Sequence, residues 1–176
     1  MVVEWLGHPR RMLLVLGGLC LGAVGIAVAL GLAFNLEVCA MCWFQRLALM
    51  LAALGFLLAV IWSAAGGIAK RLGELGLVIG WASSCRQVYL LFHPEAASGN
   101  CGAGLMYYLE IGNYEGFFRA GLIGGIECAT EQASILGLPL PLWSLIAFSG
   151  IGVLYLFWQI LCTRSAQERT RQLTGD

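Results

Sequence analysis

MLLVLGGLCLGAVGIAVALGLAF, residues 12–34, runs for 23 positions without a charged side chain. About 20 such residues, each rising 1.5 Å along a helix, cross the roughly 30 Å hydrocarbon core of a bilayer. Residues 47–69 and 141–162 are also free of charge. A fourth apolar stretch, 72–92, is interrupted by Glu74, Arg86 and Gln87. The reading is a single membrane domain over 1–176, with spans over 12–34, 43–65, 72–92 and 141–162 and loops at 35–42 and 93–140. The expected fold class is an all-α membrane protein, a four-transmembrane-helix bundle.

Composition agrees. Of the 176 residues, 60% are hydrophobic and 11% charged, against about 45–50% and about 25% in soluble domains. Such a chain cannot clothe a soluble globule in polar side chains, which excludes an ordinary soluble enzyme and a disordered segment. With ten basic and ten acidic residues it also lacks the basic face a nucleic-acid binder needs.

The basic residues orient the spans. Arg10 and Arg11 precede the first, Lys70 and Arg71 separate the second from the third, and Arg164, Arg169 and Arg171 follow the fourth. Positive charge marks the cytoplasmic side, so both termini are expected there and the two loops on the opposite side. The long loop carries Glu95, Glu110, Glu115, Glu127 and Glu131 against Arg119 alone. A cleaved signal peptide over 10–34 is the competing reading, with Gly31 and Ala33 as a cleavage pattern. Its apolar region is longer than the 7–15 residues typical of such peptides, and cleavage would spoil the charge asymmetry. Gly18 with Gly22, and Gly76 with Gly80, have the spacing that lets membrane helices approach closely.

Topology divides the seven cysteines. Cys20, Cys85 and Cys162 fall in or at the ends of spans and read as small hydrophobes. Cys39, Cys42, Cys101 and Cys128 fall in the two outer loops, where disulfides persist. Four cysteines allow three pairings; proximity favours Cys39 with Cys42 and Cys101 with Cys128, and the sequence does not choose rigorously. Zinc would want a second close pair, so no metal is expected.

Cys39-Ala40-Met41-Cys42 is a CxxC directly before a span. So small a ring is a poor structural staple and is typical of redox-active pairs. Cys42 belongs in the first helical turn, where free N–H groups and the helix dipole favour an anion. Arg46, four residues on, shares its face, and an ionisable residue at that depth is a functional hypothesis by default. An interfacial Arg reaching for water is the bland alternative. No haem, dinucleotide or phosphate-loop motif offers an electron partner. A lipid-soluble quinone, ubiquinone or menaquinone, is the acceptor reachable there, with Arg46 stabilising both thiolate and developing quinone charge. Trp43 and Phe44 flank the site. His93 reads as a polar helix end or a quinone hydrogen-bond donor, and Arg86 as a pocket residue or a carboxylate partner.

Cys39-Ala40-Met41-Cys42-Trp43-Phe44-Gln45-Arg46 resembles the C-x-x-C-x-x-Q-R signature of the bacterial disulfide bond formation protein B (DsbB) family. Cys128-Ala129, followed by Leu136-Gly137-Leu138-Pro139-Leu140-Pro141-Leu142-Trp143, resembles that family's run into its last helix. The resemblance implies a thiol:quinone oxidoreductase of the bacterial inner membrane, with periplasmic loops. It would reoxidise a periplasmic thioredoxin-fold oxidase (DsbA-like) and pass the electrons to a membrane quinone. It also implies disulfides Cys39–Cys42 and Cys101–Cys128, with Cys101 attacked by the partner, Cys42 facing the quinone and Arg46 supporting it. Ala133 and Ile135 depart from the Trp and Phe that many members carry after the fourth cysteine; the apolar stretch Gly116–Gly125 offers a replacement anchor at the membrane surface.

Three rivals stand beside this reading. A non-enzymatic four-span protein would use the loop disulfides only as braces. A carrier of reducing equivalents would want reactive cysteines accessible from both faces. A vitamin-K-epoxide-reductase-like enzyme shares four spans and a CxxC, but not the Gln45-Arg46 context.

Overall fold

In hydrocarbon every backbone N–H and C=O must bond within its own segment, so uninterrupted apolar sequence becomes uninterrupted helix. The computed structural model describes residues 9–35, 39–62, 66–97, 105–125, 127–130 and 134–174, with side chains except at 105–106, 127, 130, 135 and 165–174. Helix α1 spans Pro9–Ala33, α2 Ala40–Ile61 and α3 Gly66–Phe92. A 3-10 turn, Pro94–Ala96, follows α3. The long loop then holds α4 (Leu105–Glu110), α5 (Tyr114–Ile123) and α6 (Glu127–Thr130). A two-stranded hairpin, β1 (Ser134–Ile135) and β2 (Leu138–Pro139), leads into α7, Leu140–Thr174. Four helices are long and apolar enough to cross a membrane: Pro9–Ala33, Ala40–Ile61, Gly66–Phe92 and the Leu140–Arg164 part of α7. The protein is an all-α four-helix membrane bundle.

Local chemistry sets the ends. Pro9 opens α1, where its missing N–H is no loss, and Asn35 beyond its end has φ 47°, the left-handed conformation that stops a helix. The Asn113 side chain caps α5 by accepting from the Gly116 N–H at 2.9 Å. Leu136 (φ 55°) and Gly137 (φ 79°) form the turn between β1 and β2, a two-residue connection with both φ positive, as tight hairpins require. Helix α3 starts at Gly66, six residues before the expected 72, and so takes in Lys70 and Arg71; both lie beside Glu74, at 3.9 and 3.3 Å.

Helices α2 and α3 form the closest pair and the centre of the bundle, with α1 against α2 and α7 against α3. Their backbones nearly touch: a Cβ on Gly55 would lie 2.3 Å from the Gly73 nitrogen, and one on Gly76 would lie 2.8 Å from the Ala48 carbonyl oxygen. Gly80 makes room for the Phe148 ring of α7. The expected contact at Gly76 and Gly80 is therefore present. The one at Gly18 and Gly22 is not, since a Cβ at either would meet nothing within 4 Å. The neighbouring Gly17 faces Leu57 instead, because the rotation of α1 is decided by its larger buried residues Met12, Leu16 and Cys20.

The core joins these to Ala52, Phe56, Phe148 and Tyr155. Leu14, Ile26, Leu54, Val78, Val153 and Leu156 point outward, where lipid is the solvent. Cys20 is fully buried, whereas Cys85 and Cys162 are only half-buried. Buried polar side chains invert the usual pattern: Gln45, Ser83, Ser84 and Gln87 gather on α2 and α3 toward the end that carries Cys39.

Candidate redox site

Cys39 stands immediately before α2 in extended conformation, φ −62° and ψ 162°, with no side-chain cap bond. Its carbonyl accepts from the Trp43 N–H at 3.2 Å, which closes the first helical turn and brings Cys42 up beside it. The two sulfurs lie 3.2 Å apart as hydrogen-bonded thiols. The pair stands at the head of a membrane helix.

The long loop returns a third sulfur to this point. Cys128, on α6, is 1% exposed and packs with Met41, Leu90 and Ala129; Cys39, Ala96 and Ala97 close around them. Its thiol lies close enough to Cys39 to perturb it, Cys39 being packed against the same cluster. The chain reaches this position through Gly124, whose φ of 76° suits glycine and where a Cβ would lie 2.5 Å from the Met41 sulfur. The Cys128 thiol, then Cys42, then burial push the Cys39 thiol above its ordinary value of 9.0. Cys128, Cys39 and Cys42 thus come together at the head of α2.

A polar relay across three helices backs the pair. The Gln87 amide of α3 donates to Cys42 Sγ at 3.2 Å and to Cys39 Sγ at 3.4 Å. Its Oε1 accepts from Gln45 Nε2 of α2 at 2.8 Å, and Gln45 Oε1 accepts from the Ser144 hydroxyl of α7 at 3.0 Å. Gln87 is 0% exposed and Gln45 4%. A buried amide without partners would cost about 1–3 kcal/mol, and here each amide is bonded at both ends.

Arg46 points elsewhere. Its guanidinium donates to the Ala27 carbonyl of α1 at 2.8 Å and lies 5.5 Å from the Trp43 ring centroid. Gly31 leaves space beside it, for a Cβ there would sit 3.4 Å from Nη2. Arg46 therefore bridges α2 to α1 one turn along from the pair, with half-exposed Trp43 beside it. The amide hydrogen bonds to the sulfurs come from Gln87.

Among the described residues Arg86 bonds backbone carbonyls and no carboxylate. Its Nη2 donates to Ala96 O at 3.0 Å and its Nε to Ile123 O at 3.3 Å, and its guanidinium lies 5.3 Å from the Tyr89 ring centroid. His93 stacks on Tyr89 at 4.6 Å, as a polar helix end. Helix α5, within the stretch expected to anchor the loop, rests on α2 and α3. Phe117 and Phe118 pack edge-on to Phe44, Gly121 lies under the Phe44 ring, and Ser83 donates to the Gly121 carbonyl at 2.9 Å.

Of the residues singled out in the sequence, Cys39, Cys42 and Cys128 meet, and Arg46 stands one turn below them. Cys101, and with it the Cys101–Cys128 pair, lies outside the described residues, as does Ala133. Gln87 and Ser144 carry no motif. Their only signal was polarity inside an apolar span, which for Gln87 read as a weakness of the span rather than as a site. Among the described residues no group of three or more His, Cys, Asp or Glu is arranged to hold a metal ion.

Residues 9–158 match the family model described as disulfide bond formation protein DsbB. Among curated proteins, the chain is 32% identical to disulfide bond formation protein B of Chromohalobacter salexigens over 154 residues, covering 85% of this chain and 90% of that one. It is 35% identical to the protein of that name from Hahella chejuensis over 139 residues, 77% and 84% of the two chains. With that of Xanthomonas campestris it shares 33% over 143 residues, 78% and 83%. No solved structure matches.

Proposed function

The chain belongs to the disulfide bond formation protein DsbB family, and from that premise we propose that it is a thiol:quinone oxidoreductase of the bacterial inner membrane, reoxidising a periplasmic thioredoxin-fold oxidase of the DsbA type. Membership carries the general role, disulfide bond formation by a membrane oxidoreductase. The partner, the acceptor and the orientation are this reading's own. The observation that carries it is the meeting of three cysteines, with Cys39 packed against the buried Cys128 and 3.2 Å from Cys42. Purely structural disulfides would have no reason to meet.

The exchange follows by thiolate attack on disulfide sulfur. A partner thiolate attacks Cys101 of a Cys101–Cys128 disulfide, forming a mixed disulfide and releasing Cys128 as thiolate. The partner's second thiolate resolves that bond and leaves oxidised, freeing Cys101. Cys128 attacks Cys39 of the Cys39–Cys42 disulfide, and Cys42 departs as thiolate. Cys101 then attacks Cys128, remaking the loop disulfide and freeing Cys39. Two electrons have moved from the partner to Cys39 and Cys42.

The geometry supports attack at Cys39 with Cys42 leaving. Cys39 is held as a thiol by its neighbours and is the poorer leaving group. Cys42 has the Gln87 N–H and the free N–H groups of a helix start to receive charge. Arg46 and Trp43, one turn along α2 from Cys42, suit a quinone head group, since they offer a cation and an aromatic edge. A quinone bound there supplies the two-electron, two-proton acceptor that lets the Cys39–Cys42 disulfide reform. With the loops periplasmic, both termini and the Lys70–Arg71 end of α3 face the cytoplasm.

The test is quinone reduction by the purified protein in detergent, with a reduced thioredoxin-fold oxidase as donor. Turnover is expected to vanish in Cys42→Ser and in Cys101→Ser and to weaken in Arg46→Ala. No turnover with ubiquinone or menaquinone would overturn the reading and leave the loop cysteines as structural braces.

A further inference from the structure

Arg86 is a charged side chain in a membrane helix, and neither the chemistry above nor the C-x-x-C-x-x-Q-R motif uses it. Its two hydrogen bonds reach two different parts of the chain. Ala96, bonded through Nη2, lies five positions before Cys101; Ile123, bonded through Nε, lies five positions before Cys128. One guanidinium thus holds both arms of the long loop against α3. Tyr89 lies on the same helix under the guanidinium, with His93 stacked upon it, so the fork is held along the path by which α3 leads into Pro94–Ala96. On the other arm, the bonded Ile123 carbonyl directly precedes the left-handed Gly124 that turns the chain over Met41 and Leu90 toward Cys128.

We propose that Arg86 is a positioning residue for exchange between the two cysteine pairs, a clamp that keeps Cys128 on Cys39. This rests on the relay reading above. The step it serves forms the Cys39–Cys128 bond and breaks Cys39–Cys42, with the electron pair leaving on Cys42 and no outside oxidant. Its rate depends on how often the two sulfurs are in line, and a misplacement of about 1 Å can cost on the order of 100-fold. A rigid planar fork can serve two carbonyls at once, whereas a lysine presents a point charge on a flexible stem.

The experiment measures two equilibrium constants in a glutathione redox buffer, on the full chain in detergent. Cys42→Ser with Cys101→Ser isolates the Cys39–Cys128 disulfide; Cys101→Ser with Cys128→Ser isolates Cys39–Cys42. Mass mapping of each bond gives its oxidised fraction. Arg86→Gln is expected to weaken Cys39–Cys128 tenfold or more, a shift of about 30 mV per tenfold, and to leave Cys39–Cys42 within threefold. Arg86→Lys is expected to fall with Arg86→Gln or between it and the parent. An unchanged Cys39–Cys128 constant in both variants, or an equal fall in both bonds, would overturn the clamp, the latter because general loosening moves both. Neither partner nor quinone enters this measurement. Failure of the clamp is therefore read here, and failure of the relay in the turnover assay.

Discussion

The side-chain amide of Gln87 donates to Cys42 Sγ at 3.2 Å from a different helix, with 42 positions of chain between Gln45 and Gln87 in the relay that orients it. In the proposed relay it is a neutral amide donor to the sulfur that would carry charge when the CxxC opens. Hydrogen bonds to charged groups are worth about 1.5–3 kcal/mol. Gln87→Leu is therefore expected to slow quinone reduction by about 10- to 100-fold, at 1.4 kcal/mol per tenfold. Gln87→Glu should be slower still, because a carboxylate would face the thiolate. Initial rates, with helical content checked by circular dichroism, decide it; a rate within twofold of the parent would remove Gln87 from the chemistry.

Gln45 orients Gln87. Replacing it with Leu leaves the Gln87 carbonyl oxygen buried without its donor, which costs about 1–3 kcal/mol. Ser144→Ala removes only the far end of the relay and should cost less. Unfolding in mixed detergent, followed by loss of helix, should rank the variants Gln45→Leu below Ser144→Ala below the parent.

Gly31 borders the Arg46 guanidinium. Gly31→Leu would fill that gap without touching a cysteine. The expected outcome is a raised KM for quinone with the exchange between reduced partner and protein unchanged, read as mixed-disulfide formation in the absence of quinone. A normal quinone KM in Gly31→Leu would place the acceptor elsewhere.

Cys39 titrates above its ordinary value of 9.0, first because of Cys128, then Cys42 and burial. A thiol whose pKa is raised by folding stabilises the reduced protein below the unfolded value, and that contribution declines as pH climbs beyond about 9 toward the folded value. Cys128→Ala removes the largest cause. The pH profile of Cys39 alkylation in reduced protein should then move down toward that of an ordinary thiol. An identical profile in Cys128→Ala and parent would mean that the two thiols do not meet in solution.

The glycines offer a packing test. A Cβ on Gly55 would be driven into the α3 backbone, whereas one on Gly18 would meet nothing. Gly55→Ala is expected to destabilise the bundle by about 1–3 kcal/mol or more, as overpacking does. Gly18→Ala should be neutral or slightly stabilising, since alanine is the better helix former. Detergent unfolding curves of the two variants check both at once.

Much of the protein was legible in its one-dimensional pattern. Three charge-free runs and one apolar stretch interrupted by Glu74 and Arg86 placed the four helices, and CxxC before the second placed Cys39 outside it and Cys42 in its first turn. The chemistry of that pair and the family resemblance in Gln45-Arg46 needed only local spacing. These features are legible because hydropathy and helix-start geometry depend on neighbours within a turn or a span. The glycine pattern was half legible: spacing marked Gly76 and Gly80 and equally marked Gly18 and Gly22, yet only the former pair faces another helix.

What tertiary structure alone decided is the rotation of each helix about its axis and the path of the long loop. Those turned Gln87 toward the sulfurs, Arg46 toward Ala27, and Arg86 toward two backbone carbonyls, and they brought Cys128 onto Cys39. No spacing rule relates residues 39 and 128, because their contact is set by where Gly55, Gly73 and Gly76 let α2 and α3 close together and by where α5 settles on Phe44. The sequence by itself determined the solvent, the spans and the place of the CxxC at a helix start. Close packing of helix against helix determined which side chains that pair meets.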